Sequence, residues 1–209
     1  MKDLKKPLFL ILLVLIIDQI IKIYVKTHFT IGDETEVLGL SWFRIHFLEN
    51  KGMAFGMNLG DKGGKILLTS LRIVLSVLIF LYMHRLIRKK ERKIIIYSFA
   101  LIFAGAVGNI IDSVFYGVVF NESTIFAPAT IFPDKGYAPL FFGRVVDMFY
   151  FPLIDTVWPE WMPIMGGNAF RFFNAIFNFA DASITIGVLM LLVAILIKPK
   201  NQFSKEERT

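Results

Sequence analysis

The chain contains no cysteine, and this absence removes several kinds of chemistry at once. Disulfide bonds, thiol nucleophiles and cysteine-ligated metals are excluded, whichever compartment a segment faces. The three histidines, His28, His46 and His84, are scattered, and no His-Glu-x-x-His motif occurs. A Gly-x-Ser-x-Gly motif and a Walker-type glycine loop are also missing. The sequence therefore predicts no bound metal and no cofactor.

Charged residues are scarce as well, at 19% of the 209 residues, whereas hydrophobic residues make up 56%. The mean hydropathy of +0.62 is higher than a soluble domain of this size needs. The net charge is +6, but the basic residues lie in short segments beside apolar stretches. That distribution is typical of membrane topology and argues against nucleic acid as a partner. We therefore expect membrane lipid to surround much of the chain.

Four apolar stretches are long enough to cross about 30 Å of hydrocarbon as helices. The first follows a lysine-rich start, as in a signal peptide, but it lacks a small-x-small cleavage site. We therefore predict that it is a retained span. The predicted spans are roughly residues 7–25, 66–87, 94–119 and 175–197.

The segment between the second and third spans, 85–93, carries six basic residues in nine. By the positive-inside rule the loop 88–93 is cytoplasmic, which also places both termini in the cytoplasm. Segments 26–65 and 120–174 are then external. The first is rich in β-branched and aromatic residues, which predict short strands. Tryptophan and proline in the second are typical of a segment at the lipid–water interface. We predict one all-α membrane domain over 1–209, with four transmembrane helices, a small β-containing external segment and a long external loop.

Charged and amide side chains inside the predicted spans need an explanation, because they are costly in lipid. Asp18 and Lys22 are four residues apart and share one helix face. They could form an intrahelical ion pair or contact a substrate directly, and the spacing leaves both alternatives open. The pattern Asn-x-x-Asp occurs twice, in the third and fourth spans. Its spacing predicts that each Asn and Asp share one helix face. The two pairs are Asn109 with Asp112 and Asn178 with Asp181.

The predicted span directions place Asp18, Asp112 and Asp181 in the outer half of the membrane, with Asp147 in the segment before the fourth span. Two adjacent carboxyl groups cannot both ionise easily, so one keeps a proton. The charged carboxylate can then activate water while the neutral one donates to a carbonyl oxygen. Separate packing sites remain the other interpretation. The pattern leaves open which two of the four acids would react.

Two other classes of function also fit intramembrane acids, namely an ion- or proton-coupled small transporter that uses Asp and Lys, and a non-catalytic scaffold. The chain shows no paired, interrupted spans in matching halves, which many transporters have. Acids predicted at one depth favour hydrolysis over a transport path.

Five short blocks resemble lipoprotein signal peptidase, the signal peptidase II family of bacterial intramembrane aspartyl proteases. Each block alone is weak, but five in the family's order on four spans are specific, and the resemblance covers nearly the whole chain. The blocks are Asp18-Gln-Ile-Ile-Lys22, Asn50-Lys-Gly-Met-Ala-Phe-Gly56, Gly105-Ala-Val-Gly-Asn-Ile-Ile-Asp112, Val145-Val-Asp147 and Phe177-Asn-Phe-Ala-Asp181.

The resemblance implies that Asp147 and Asp181 are the catalytic pair of an aspartic endopeptidase. It implies a prolipoprotein substrate that carries diacylglycerol on a cysteine and is cut just before that cysteine. The expected location is the bacterial cytoplasmic membrane, with the active site near its outer face, and we expect a monomer. The residues implied to position substrate or to support the site are Asp18, Lys22, Asn50, Gly56, Asn109, Asp112, Asn178 and Ala180.

Two departures from the family pattern stand out. Ser113 follows Asp112 where the family commonly has arginine, and Arg144 or Arg171 could replace that arginine. There are 34 residues between Asp112 and Asp147 and 33 between Asp147 and Asp181, and both stretches are longer than is usual for the family. They predict an enlarged external lid or membrane-surface element.

Overall fold

Within residues 2–50 and 61–197, which the computed structural model describes, four helices are long and apolar enough to cross a membrane. Six short strands accompany them. The helices are α1 (Lys2–His28), α2 (Asp61–Arg88), α3 (Lys93–Val119) and α4 (Phe179–Leu196). The strands are β1 (Glu34–Val37), β2 (Leu40–Asn50), β3 (Val145–Tyr150), β4 (Ile154–Val157), β5 (Ala169–Phe172) and β6 (Ile176–Phe177).

The predicted architecture of four apolar helices with a small β component is confirmed. The bounds of the helices differ from the predicted spans, most of all at the start of α4. That helix begins at Phe179 and not near residue 175. The reason is that residues 176–177 pair with β3 as a strand, and Asn178 caps the helix. The long segment before α4, predicted as a loop, therefore contains four strands.

The surface of the helices is strongly apolar outside their mutual contacts. Exposed residues of α2 include Leu67, Leu71 and Leu78, and those of α4 include Leu189 and Val193. Leucine and valine on such a surface gain nothing from water, whereas lipid accepts them at no cost. The exterior of the four helices is therefore suited to a bilayer.

Small residues allow α3 and α4 to approach closely. A side chain at Gly105 would overlap the carbonyl oxygen of Ala180, and a Cβ at Gly187 would lie 2.7 Å from the carbonyl oxygen of Ser98. Close backbone approach at small residues is the usual way in which helices associate in lipid. This contact fixes the first turn of α4 against the middle of α3.

The strands form a four-stranded antiparallel sheet in the order β1-β2-β3-β6, and β4 and β5 form a separate antiparallel pair. In the β2–β3 register, Leu48 lies opposite Asp147 and Glu49 lies opposite Val146. β6 pairs with Phe149 and Tyr150 of β3, and α4 begins two residues after β6. This pairing brings the start of α4 close to Asp147, although β4 and β5 lie between β3 and β6 in the chain.

A buried core joins this sheet to the helices. Val25 of α1 and Tyr116 of α3 pack with Phe47, Val146 and Met148 of β2 and β3. The sheet therefore rests on the ends of α1 and α3, and it holds Asp147 next to the polar residues of both helices.

Candidate active site

Lys22 is the centre of a buried ion cluster between α1 and α3. Its Nζ lies 3.0 Å from Asp18 and 2.8 Å from Asp112, and all three side chains are fully buried. The same Nζ donates to Oδ1 of Asn109 at 2.9 Å. The intrahelical ion pair considered from the spacing is thus present, and it extends to a second helix. Its complete burial favours a supporting role over direct contact with a substrate.

The two acids of this cluster also bind backbone groups of other elements. Oδ1 of Asp18 accepts a hydrogen bond from the N–H of Ala180 in the first turn of α4 at 2.9 Å. Oδ2 of Asp112 accepts from the N–H of Val146 in β3 at 3.3 Å. The ion cluster therefore fastens both α4 and β3 at the points where Asp181 and Asp147 lie.

Asn178 lies between the two remaining acids. Its Nδ2 donates to Oδ1 of Asp147 at 2.7 Å and to Oδ1 of Asn109 at 3.1 Å, while its Oδ1 accepts from the N–H of Asp181 at 2.9 Å. The Asp181 side chain returns to the N–H of Asn178 at 3.4 Å, which completes a capping box. Asn178 and Asp181 are thus the N-cap and the third residue of α4. The prediction that they share one helix face is wrong, because Asn178 lies before the helix and caps it.

Asn109 completes the connection to the ion cluster. Its Nδ2 donates to Oδ1 of Asp181 at 2.8 Å, while its Oδ1 accepts from Lys22 and Asn178. Asp147 and Asp181 are therefore each hydrogen-bonded to one of two amides that also bind each other. The arrangement brings the two acids of the predicted pair to one place.

Asp147 is almost completely buried, with 6% of its surface exposed. Burial, and then the negative charge of Asp181, raise the pKa of Asp147 to about 7. Hydrogen bonds from Asn178 and Asn50 and the charge of Lys22 act in the opposite direction on this pKa. Asp181 is only partly buried, and its position in the first turn of α4 favours negative charge. Asp147 therefore keeps its proton to a higher pH than a solvent-exposed aspartate does.

Four sequence-predicted positions remain to be placed. Asn50 ends β2, opposite Val145, and Ala180 contributes the backbone N–H that binds Asp18. Gly56 lies outside the described residues, and so does the side chain of Arg171. Among the described residues, no three His, Asp or Glu side chains are arranged to hold a metal ion.

Sequence reasoning missed several polar groups that contact the site. Gln19 donates to both Asp18 and Asp112 at 3.1 Å and accepts from the hydroxyl of Tyr116 at 3.0 Å. Its place inside the Asp18–Lys22 block was the only signal. The hydroxyl of Ser113, which follows Asp112, donates to the carbonyl oxygen of Asn109 in its own helix.

Arg144 was a candidate to replace the arginine that is missing at Ser113. Its guanidinium pairs with Glu49 and Glu122, each at 3.0 Å. These pairs are enough to raise the pKa of Arg144 although burial acts against the charge. Arg144 therefore belongs to a different cluster, with Glu49 and Glu122, and not to the ion cluster around Lys22.

The chain is similar in sequence and in fold to known proteins. A model of the signal peptidase (SPase) II family matches residues 10–197. A lipoprotein signal peptidase of Porphyromonas gingivalis is 50% identical over 186 residues, which are 88% of this chain and 80% of that protein. A lipoprotein signal peptidase of Amoebophilus asiaticus is 32% identical over 204 residues, 95% of this chain and 82% of that protein. A solved bacterial membrane enzyme shares the fold, with a TM-score of 0.61 at 24% identity, covering 95% of this chain and 92% of that one.

Proposed function

The chain belongs to the signal peptidase II family, and from this premise we propose that it removes the signal peptide from diacylglyceryl-modified prolipoproteins. It is a multi-pass membrane peptidase. The cut falls just before the lipidated cysteine, and Asp147 and Asp181 activate the attacking water. One observation carries the choice of this pair: Asn178 is hydrogen-bonded to both acids, to the side chain of Asp147 and to the backbone N–H of Asp181. The raised pKa of Asp147 agrees with a role as proton donor.

The reaction then follows from the two protonation states. Ionised Asp181 takes a proton from a water molecule as the water oxygen attacks the scissile carbonyl carbon. Neutral Asp147 gives its proton to the carbonyl oxygen, so that the tetrahedral intermediate is uncharged. The C–N bond breaks as Asp181 passes its proton to the leaving amine. The carbonyl re-forms and returns a proton to Asp147, so each acid ends in its starting state.

The other site residues support this pair in the proposed mechanism. Asn109 and Asn178 orient the two carboxyl groups through the hydrogen bonds already described, and Asn50 acts on Asp147 from the end of β2. Asp18, Lys22 and Asp112 hold α1, α3, α4 and β3 together, with Ala180 as one backbone contact. Gly56 belongs to the substrate-binding part of the proposal.

We place the protein in the bacterial cytoplasmic membrane, as a monomer, with both termini and the α2–α3 loop in the cytoplasm. The aspartate pair then lies near the outer face, where the acyl chains of a lipidated precursor remain in the outer leaflet. The β4–β5 hairpin joins the two arms of the β3–β6 ribbon. Its end carries Trp161 and Ile164, which are 79% and 98% exposed, and we assign this end to the lipid–water interface.

Transport is less well supported than proteolysis. In the described part of the chain, the buried charged residues are Asp18, Lys22, Lys26, Asp112 and Asp147. All of them lie in the sheet or in the halves of α1 and α3 that lead to it, and a path for ions would need polar groups through the whole depth of the bilayer.

A cleavage assay tests the function and the pair together. The protein in detergent or lipid is given a diacylglyceryl-modified precursor and the same precursor without lipid. We expect cleavage of only the lipidated form, and a loss of roughly 1,000-fold or more in kcat for Asp147→Asn and for Asp181→Asn. Asp134→Asn makes the same change at an exposed position and should cleave normally.

Two outcomes would contradict the proposal. Folded wild-type protein that leaves the lipidated precursor intact would remove the peptidase assignment for this substrate. Normal turnover by one of the two Asn variants would remove that residue from the pair. Equal unfolding midpoints of all four proteins in detergent would show that any loss is chemical and not a failure to fold.

A further inference from the structure

A second buried charge cluster lies beside the candidate active site, where α1, β2 and the segment before β3 meet. Lys26 is fully buried, and its Nζ contacts a carboxylate oxygen of Glu49 and, at 2.9 Å, Oγ of Ser123. The second oxygen of Glu49 accepts from Nη1 of Arg144 at 3.0 Å, and Nη2 of Arg144 reaches Glu122 at the surface, also at 3.0 Å. Lys26, Glu49, Ser123 and Arg144 are called the Glu49 cluster below.

The Glu49 cluster is connected to Asp147 through the sheet. Glu49 lies opposite Val146, the residue before Asp147, and Arg144 directly precedes β3. The cluster is therefore attached to β3 at two points: Arg144 directly before the strand, and Glu49 in the neighbouring strand β2. Register matters here, because a slip of one residue turns every side chain of a strand to the opposite face. Such a slip in β3 would turn Asp147 away from Asp181.

Stability alone does not account for this cluster. The rings of Phe120 and Tyr137 lie 5.3 Å and 5.0 Å from Nζ of Lys26, so two aromatic rings, Glu49 and Ser123 take the place of water around the ammonium group. Removing a lysine and a carboxylate from water carries a large desolvation cost, and apolar side chains of similar volume commonly stabilise a fold as well or better. The pair between Glu49 and Arg144 does, however, distinguish one register of β3 from the others, because a slip of β3 would move Arg144 away from Glu49. Lys26 holds Glu49 in place from α1.

We propose that Glu49 is a positioning residue, which holds β3 through Lys26 and Arg144 in the register that presents Asp147 to Asp181. This inference rests on the proposed function, since it requires Asp147 to take part in cleavage. Glu49 itself does not touch the reacting atoms. Its effect is on the placement of one carboxyl group, at which an error of about 1 Å can cost 100-fold in rate.

The test compares Glu49→Gln, which removes the charge at constant shape, with Arg144→Gln, which removes the guanidinium from the same pair. With the diacylglyceryl-modified precursor, we expect each variant to lose roughly 10- to 100-fold in kcat, with KM within about twofold of wild type. Glu36→Gln and Arg44→Gln are matched controls, because this Glu–Arg pair lies in the same sheet and is far more exposed than Glu49, with side chains 46% and 32% exposed. The controls should keep the wild-type kcat. All rates are referred to folded protein, measured by size exclusion and by the unfolding midpoint.

The pH profile separates positioning from direct electrostatics. Burial and Asp181 raise the pKa of Asp147, and Lys22 opposes them. Glu49→Gln removes a negative charge and Arg144→Gln removes a positive one, so direct charge effects would move the alkaline limb of kcat in opposite directions. Loosening β3 hydrates Asp147 in both variants, which lowers its pKa. A positioning role therefore predicts that the alkaline limb of kcat moves to lower pH in both variants.

The outcomes are distinguishable from those of the proposed function. A wild-type protein that does not cleave the lipidated precursor defeats the proposed function itself. If wild type and controls cleave, unchanged kcat in both Gln variants, or alkaline limbs that move in opposite directions, would overturn the positioning role. If Glu49→Gln does not fold, Arg144→Gln decides the question, because the Arg144 side chain is 25% exposed and its replacement is better tolerated. A shift of the alkaline limb of kcat to higher pH in Arg144→Gln would then contradict the proposal.

Discussion

Replacing Asn178 should separate the capping of α4 from the positioning of Asp147. Serine at this position keeps a side-chain oxygen that can accept from the N–H of Asp181, because serine is a preferred N-cap. It is too short to replace the Nδ2 that donates to Asp147 at 2.7 Å and to Asn109 at 3.1 Å. Alanine loses both functions. The pair Asn178→Ser and Asn178→Ala therefore distinguishes the two roles.

The magnitudes follow from the contacts that each variant loses. A hydrogen bond to a group that is charged during the reaction is worth about 1.5–3 kcal/mol. If that bond is needed to hold Asp147 in the transition state, its loss lowers kcat by roughly 10- to 150-fold in both variants. The cap contributes about 1 kcal/mol, so only Asn178→Ala should lose that further amount of unfolding free energy. The Asn178 hydrogen bond lowers the pKa of Asp147, so its loss should move the alkaline limb of kcat to higher pH.

The assay combines cleavage of the lipidated precursor, measured from pH 5 to 9 as a working range around neutrality, with denaturant unfolding in detergent. Similar kcat losses with unequal stabilities are expected. A serine variant with wild-type kcat and an unchanged pH profile would refute the role of Nδ2 in positioning Asp147. Equal stabilities of the two variants would refute the capping role instead.

Two further predictions concern helix packing and placement at the membrane. Gly105→Ala should lower both stability, by about 1–3 kcal/mol, and turnover, because its Cβ would overlap the backbone at Ala180. Gly63→Ala, whose Cβ meets no atom within 4 Å, should be neutral or stabilising, and denaturant titration compares them. In proteoliposomes of a Trp42→Phe/Trp158→Phe variant, the remaining tryptophan, Trp161, should be quenched by lipids with brominated acyl chains. Quenching by aqueous iodide alone would contradict its assignment to the interface.

Much of the fold follows from hydropathy, because lipid imposes a simple rule on composition and length. Hydropathy predicts a start near residue 175 for α4, whereas the helix begins at Phe179 for a reason that hydropathy cannot detect. Residues 175–177 are small or apolar and could continue a helix, but Ile176 and Phe177 pair with Tyr150 and Phe149 of β3. That partner is more than 20 residues away in the chain and is available only after β3 has been placed.

The same error changed the interpretation of Asn178 and Asp181. Their spacing fits both a shared helix face and a capping box, and the choice depends on where the helix begins. Because β6 ends at Phe177, Asn178 has extended backbone angles and becomes the cap. The structure brings Asn178 and Asp181 together, as their spacing predicts, but through a capping box and not through a shared helix face.

The Glu49 cluster could not be found by pattern. Glu49 is separated by 23 residues from Lys26 and by 95 from Arg144, so no helical or strand period connects them. Each residue alone looks like a surface charge near the end of a span. Their burial results from the packing of the β2–β3 sheet over the ends of α1 and α3.

The polar interior also shows why amides, and not further charges, connect the ion cluster to the aspartate pair. An amide donates and accepts at once, so Asn109 can accept from Lys22 while it donates to Asp181. In the proposed mechanism Asp147 and Asp181 share one proton, and aspartate at position 109 would add a negative charge beside them, which disfavours the ionised form that activates water. Lysine would stabilise both acids in the ionised form and remove the proton donor. Only a neutral side chain with both functions fixes the geometry and leaves the charge of the pair unchanged.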